Sequence, residues 1–138
     1  MDEVKQKRNK IIEHAMLIST LLVAVALIFS LGYLLHTQVP LAVVSSWSME
    51  PTLHVGDIVV VYGASQYSIG DIVVYESPSG LIVHRIVGVN GDKFITKGDA
   101  NPYPDSIHPD KFTIKGRVIF VIPYIGNLKL IFERLISH

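Results

Sequence analysis

The chain has 138 residues, 49% of them hydrophobic, with 12 Lys and Arg against 12 Asp and Glu and no cysteine. Its mean hydropathy of +0.41 is high for a wholly soluble domain, so part of it should sit in lipid. The lack of cysteine excludes disulfides, thiolate catalysis and cysteine zinc sites, and zero net charge without a basic stripe excludes the phosphate-neutralising surface that nucleic acid requires.

In chain order, Lys5, Lys7, Arg8 and Lys10 precede a 21-residue run, 15–35, that holds no Asp, Glu, Lys, Arg or His. As a helix rising about 1.5 Å per residue, the run spans a hydrocarbon core of about 30 Å. It exceeds a typical signal-peptide core and "LGYLLHTQVP" offers no small-x-small cleavage site, so the segment is expected to stay attached. The basic flank places the N-terminus in the cytoplasm. The expected organisation is a cytoplasmic flank (1–14), a transmembrane helix (15–36), an extracytoplasmic β-domain (37–126) and a short amphipathic C-terminal helix (127–138). The fold class is mainly β behind a single-pass anchor in the cell membrane.

Strands are predicted over 39–44, 58–62, 72–75, 81–89, 93–97 and 113–122 from their β-branched and aromatic content and from Gly-Asp, Pro-Ser-Gly and Asn-Gly punctuation. Asn90-Gly91 predicts a two-residue hairpin, and the strands before residue 98 should form a meander. The stretch 98–112, "GDANPYPDSIHPDKF", cannot propagate a ladder and reads as a long loop. In the tail, Ile125, Leu128, Ile131 and Leu135 share one helical face, and Lys129 and Glu133 form an i,i+4 pair. That segment is too short and too charged to span, so an interfacial or domain-packing helix is expected.

Candidate chemistry centres on "VVSSWSMEPTLHVGDIVVV" (43–61). A serine-rich interruption of apolar strands is ordinary turn chemistry, but Trp47 and Met49 among the hydroxyls suggest apolar surface meant to be covered. A serine becomes a nucleophile only beside a base. Of six histidines, His14 and His36 flank the apolar run, His138 is terminal, His54 follows the serines and His108 lies in the long loop. His84 stands inside the strand "LIVHRIVGV", where a histidine is more often a satisfied core residue. Asp99, Asp105 and Asp110 are available carboxylates, with turn capping as the ordinary role of each. Asp99, Asn101, Asp105 and Asp110 fall at positions 1, 3, 7 and 12 of a calcium loop, but Pro104 replaces its obligatory glycine and Tyr103 a ligand. His108 and Asp110 lack a full zinc ligand set. No metal or cofactor is expected.

"SSWSMEPT", "GDIVVV", "HRIVGV" and "KGDANPYPD", in this order behind a membrane anchor, resemble the boxes of the type I signal peptidases. Histidine in the third box is similar to the archaeal and endoplasmic-reticulum branch. The resemblance covers about residues 15–126 and implies a membrane-bound serine endopeptidase that removes signal peptides from secretory precursors after a small-x-small motif through an acyl-enzyme. It implies Ser48 as nucleophile, His84 as base, Asp105 as the carboxylate, Asp99 as a supporting residue and Ser46 as an oxyanion-hole hydroxyl. Trp47 departs from the glycine that many members place between the two serines. Implied partners are signal-peptide-bearing precursors and the lipid bilayer, with the protein-translocation machinery also admitted. A non-catalytic membrane-tethered β-domain leaves four ordered boxes as coincidence. A Ser-Lys protease of the self-cleaving repressor type, with Lys93 or Lys97 as base, is disfavoured by the anchor and by histidine at position 84.

Overall fold

A computed structural model describes residues 2–124 as two compact units divided after Leu34. The first is a single helix, α1 (Asp2–Leu34). It includes the basic flank, because Lys, Gln, Glu and Arg are good helix formers and nothing in 4–14 breaks the backbone ladder. The boundary expected at residues 14 and 15 is therefore one of polarity rather than of secondary structure. The helix closes at Leu34, two residues short of expectation, and His36 follows with φ 53°. The most apolar 18-residue window of its span Val4–Leu34 has a mean hydropathy of 2.4, and none of that window is buried by protein, as suits a helix long and apolar enough to cross a membrane. Ser19 and Thr20 donate their hydroxyls to the Met16 carbonyl at 2.8 and 2.9 Å, so these polar groups are satisfied within the helix itself.

The second unit is one six-stranded antiparallel sheet made of β1 (Leu41–Val43), β2 (Ile58–Tyr62), β3 (Ile72–Ser77), β4 (Gly80–Asn90), β5 (Lys93–Lys97) and β6 (Ile114–Ile122). The spatial order is β1-β2-β6-β3-β4-β5. This corrects the expected meander, which holds only for β3-β4-β5. Strand β6 pairs antiparallel with both β2 and β3, so those two run parallel to each other and no hairpin can join them. The Asn90-Gly91 expectation also shifts by one residue. Asn90 pairs with Lys93, and the turn is Gly91-Asp92, with φ 63° at Gly91, a value that glycine adopts at little cost.

Alternation along β3 builds two apolar clusters. Val74 packs with Val44, Met49, Leu53, Val59 and Val61 on one face, whereas Val73 and Tyr75 pack with Ile86 and Ile114 on the other. Being buried on both faces explains why β3 reads as continuously apolar. Met49 is 1% exposed, so it anchors the serine-rich loop to the core instead of forming outer surface as expected. Trp47 is 72% exposed and is outer surface. The proposed C-terminal helix, 127–138, lies outside the described residues.

Candidate active site

Three segments meet at one end of the sheet. The serine-rich loop leaves β1 at Val43 and is closed by bonds from Val44 N–H to the Asp57 carbonyl and from Gly56 N–H to the Val44 carbonyl, both 2.8 Å. A tight turn, Glu50 N–H to the Trp47 carbonyl at 3.1 Å, sits over buried Met49 and Leu53 and presents Ser48. His84 pairs with Val73 across β4 and β3; it is itself buried, at 7% exposure. Asp105 comes from the long loop, which runs back along the outer edge of β5. Asp105 N–H bonds the Thr96 carbonyl and Phe94 N–H the Pro109 carbonyl, both at 2.8 Å, with a bridge between Lys93 and Asp110. The loop thereby covers an edge strand.

The side chains form a continuous chain. Ser46 Oγ lies 3.0 Å from Ser48 Oγ, Ser48 Oγ 3.0 Å from His84 Nε2, and His84 Nδ1 2.6 Å from Asp105 Oδ2. A carboxylate only accepts, so the imidazole proton belongs on Nδ1 and the Nε2 lone pair faces Ser48. Ser48 then donates to His84, which leaves Ser46 to donate to Ser48. An alcohol held to an imidazole that is oriented by a carboxylate is the geometry of general-base activation. Trp47 takes no positive φ, since His36 is the only non-glycine with one among the described residues, so the bulky side chain between the serines costs no left-handed strain. Beside the chain lies a cleft of about 290 Å³, walled by Val43, Val44 and Ser45 on one side and by Leu81, Ile82 and Val83 on the other.

The sequence profile of the family described as "Signal peptidase, peptidase S26" matches residues 12–101. The chain is 32% identical over 147 residues to the human signal peptidase complex catalytic subunit SEC11C, covering 94% of this chain and 77% of that one. It is 33% identical over 143 residues to SEC11C of Mus musculus (92% and 73%) and 31% identical over 150 residues to SEC11 of Komagataella phaffii (93% and 85%). The chain belongs to the signal peptidase family. It is a serine endopeptidase of the eukaryotic-type branch, and its apolar helix agrees with association with a membrane.

The three loop acids of this peptidase go to three different partners. Asp105 takes His84. Asp99 takes Arg85, which grips it with Nε at 2.9 Å and a terminal nitrogen at 2.7 Å, while Thr52 donates to it at 2.5 Å. Asp110 accepts from Phe112 and Thr113 N–H at 2.8 and 2.9 Å, the turn-capping role. Acids so divided cannot close on one calcium ion, and no metal-ligand cluster occurs among the described residues. Of the other histidines, His14 bonds the Lys10 carbonyl in the helix and His54 lies 3.3 Å from Glu50; neither belongs to the chain through Ser48. His138 is outside the described residues.

Asp99 sits beside the site without joining it. Ala100 N–H bonds the Ser48 carbonyl at 2.9 Å, and a Cβ on Gly98 would lie 2.6 Å from that same oxygen, so glycine permits the loop to press against the serine turn. The Arg85 hydrogen bonds, opposed by partial burial and aided by Thr52, hold the Asp99 carboxyl below its ordinary range. A carboxyl depressed in the folded state contributes stability that is present above the unfolded value of about 3.9 and is lost as pH falls through the folded one. Asp99→Asn should therefore cost about 1 kcal/mol, discounted for partial exposure, or roughly 5 °C in Tm at neutral pH. The gap to wild type should narrow near pH 3, as checked by thermal melts at both values; a gap independent of pH would exclude the ion pair as its source.

The sequence by itself does not single out Arg85, Thr52, Tyr75 or Thr96. Arg85 adjoins His84 and was available as a partner for a loop acid. Tyr75 and Thr96 carried no such signal, because both read as ordinary strand residues.

Proposed function

We propose that this signal peptidase cleaves secretory precursors after a small-x-small motif by a Ser48-His84-Asp105 mechanism, with its N-terminus in the cytoplasm and its β-domain outside. The observation that carries the reading is the unbroken chain from Ser48 Oγ through both ring nitrogens of His84 to Asp105, at 3.0 and 2.6 Å. His84 takes the Ser48 proton as Oγ attacks the scissile carbonyl, forming a tetrahedral intermediate. As that intermediate collapses, the imidazolium returns the proton to the leaving amine, and an ester remains on Ser48. Water, deprotonated by His84, then releases the acyl group. Ser46, freed from Ser48 Oγ, can turn its hydroxyl to the developing oxyanion; such a donor is worth about 3–4 kcal/mol in comparable enzymes.

Substrate binding as an added strand is supported by the walls of the cleft. Among the described residues, β1 pairs with β2 alone and β5 begins pairing with β4 at Arg85, so the backbone of residues 81–84 has β3 on one side and no described strand on the other. An extended precursor segment can bond to such backbone while its alternate side chains enter the cleft. About 290 Å³, shared among several residues, suits small side chains.

The test uses the full-length protein in detergent with a synthetic precursor bearing Ala-x-Ala. Cleavage after the second alanine is expected, with sharp loss when either alanine is replaced by a bulky residue, and acid quenching during turnover should trap an acyl mass on the Ser48 peptide. Protease added outside sealed cells should reach residues 60–110. Cleavage elsewhere, an acyl group on another residue, or full protection of that region would overturn the corresponding element.

A further inference from the structure

We propose that Tyr75 and Thr96 are positioning residues of this peptidase, two buried hydroxyls from β3 and β5, the strands on either side of β4, that fix the Asp105 side chain as an acceptor aimed at His84. The inference rests on the triad reading above. Tyr75 O–H donates to Asp105 Oδ2 at 2.9 Å, and Thr96 O–H donates to the same oxygen at 2.7 Å. The third donor on that oxygen is His84 Nδ1–H at 2.6 Å.

Each hydroxyl has one proton to give. Thr96 Oγ1 lies 3.3 Å from the Tyr75 oxygen, longer than its contact with Asp105, so both protons go to the carboxylate. Tyr75 and Thr96 are 0% exposed, and no water can readily replace either hydroxyl. Burial first, and then the adjacent Asp105, push the Tyr75 phenol far above its ordinary range, which keeps it a donor throughout the working pH. The backbone repeats the arrangement, since Thr96 also accepts Asp105 N–H through its carbonyl. Asp105 comes from an irregular loop, and its aim is therefore supplied by the rigid strands β3 and β5.

Both hydroxyls are buried and bond Asp105 rather than the Ser48 oxygen, so they act through Asp105. Two fixed donors spread its negative charge and stop its carboxylate from turning away from the imidazole. With one donor removed, the remaining charge on Oδ2 falls more heavily on His84. The imidazolium is then favoured in the resting enzyme, and the carboxylate is held less firmly.

The experiment compares Tyr75→Phe, Thr96→Val and Thr96→Ser in the full-length protein. Phe and Val preserve shape, so packing is nearly unchanged, and Ser restores only the hydroxyl. Tyr75→Phe and Thr96→Val should each lower kcat roughly 5- to 50-fold with KM nearly unchanged. The pH below which cleavage is lost should move upward, the low-field imidazole Nδ1–H proton resonance should shift, and Thr96→Ser should recover most of the turnover. If Thr96→Val does not fold, Tyr75→Phe and Thr96→Ser carry the comparison. Wild-type kcat and pH profile in Tyr75→Phe, beside inactive Ser48→Ala and Asp105→Asn, would overturn this inference while leaving the triad intact. Cleavage by the latter two variants would instead remove the triad on which it stands.

Discussion

Ser48→Ala and His84→Ala are each expected to lower turnover of a signal-peptide substrate by about 10⁴- to 10⁶-fold, the range found when a member of a serine triad is deleted. Lys93→Ala and Lys97→Ala should leave most of the activity. The contrast follows from the register of β4 and β5. Ile86 pairs with Thr96 and Arg85 with Lys97, so His84, two residues from Ile86, shares the Thr96 face while Lys93 and Lys97 stand on the opposite one. Lys97 is moreover engaged, donating to the Asn101 carbonyl at 2.6 Å and to that of Gly98 at 3.2 Å, and its removal should show in the stability of the loop rather than in chemistry. His84→Lys should not restore full turnover, because a longer cation must then occupy a site shaped around an imidazole with a carboxylate 2.6 Å from one nitrogen. The measurement is single-turnover cleavage by folded, full-length variants. Retained cleavage by His84→Ala would refute the triad and put a Ser-Lys mechanism in its place.

Asp105→Asn should cost roughly 10³- to 10⁴-fold in kcat with little change in KM. The amide is uncharged and cannot balance the imidazolium that forms when Ser48 loses its proton. If its NH₂ faces His84 instead of its oxygen, the ring must accept at Nδ1 and carry its proton on Nε2, where it no longer takes one from Ser48. Asp99→Asn should keep most of the chemistry, because its partners are Arg85 and Thr52. Steady-state kinetics on both variants, with thermal melts to show that each is folded, make the comparison. An inactive Asp99→Asn beside a nearly normal Asp105→Asn would reverse the roles assigned within this loop.

Local chemistry along the chain was enough for several features. The uncharged run behind a basic flank gave the helix, because hydropathy and length are properties of consecutive residues. Strands 58–62 and 93–97 were placed to the residue, as β-branched runs between turn formers. The four boxes carried the family, and with it the candidates Ser48, His84 and Asp105. What consecutive residues could not convey was partnership. The place of β6 between β2 and β3 depends on pairing across more than fifty residues to β2 and about forty to β3, and a strand's own sequence does not name its neighbours. Met49 looked like outer surface because its neighbours in sequence are polar, yet its neighbours in space are Val44, Leu53 and Val59. Asp99, Asp105 and Asp110 are chemically identical carboxylates in one loop; an ion pair, a histidine and two backbone N–H groups separate their roles. Tyr75 and Thr96 read as interior strand residues until the sheet brought both hydroxyls to one oxygen of Asp105. A hydrogen bond forms within about 3 Å whatever the separation along the chain, so these contacts exist only once β3, β4, β5 and the loop have closed on one another.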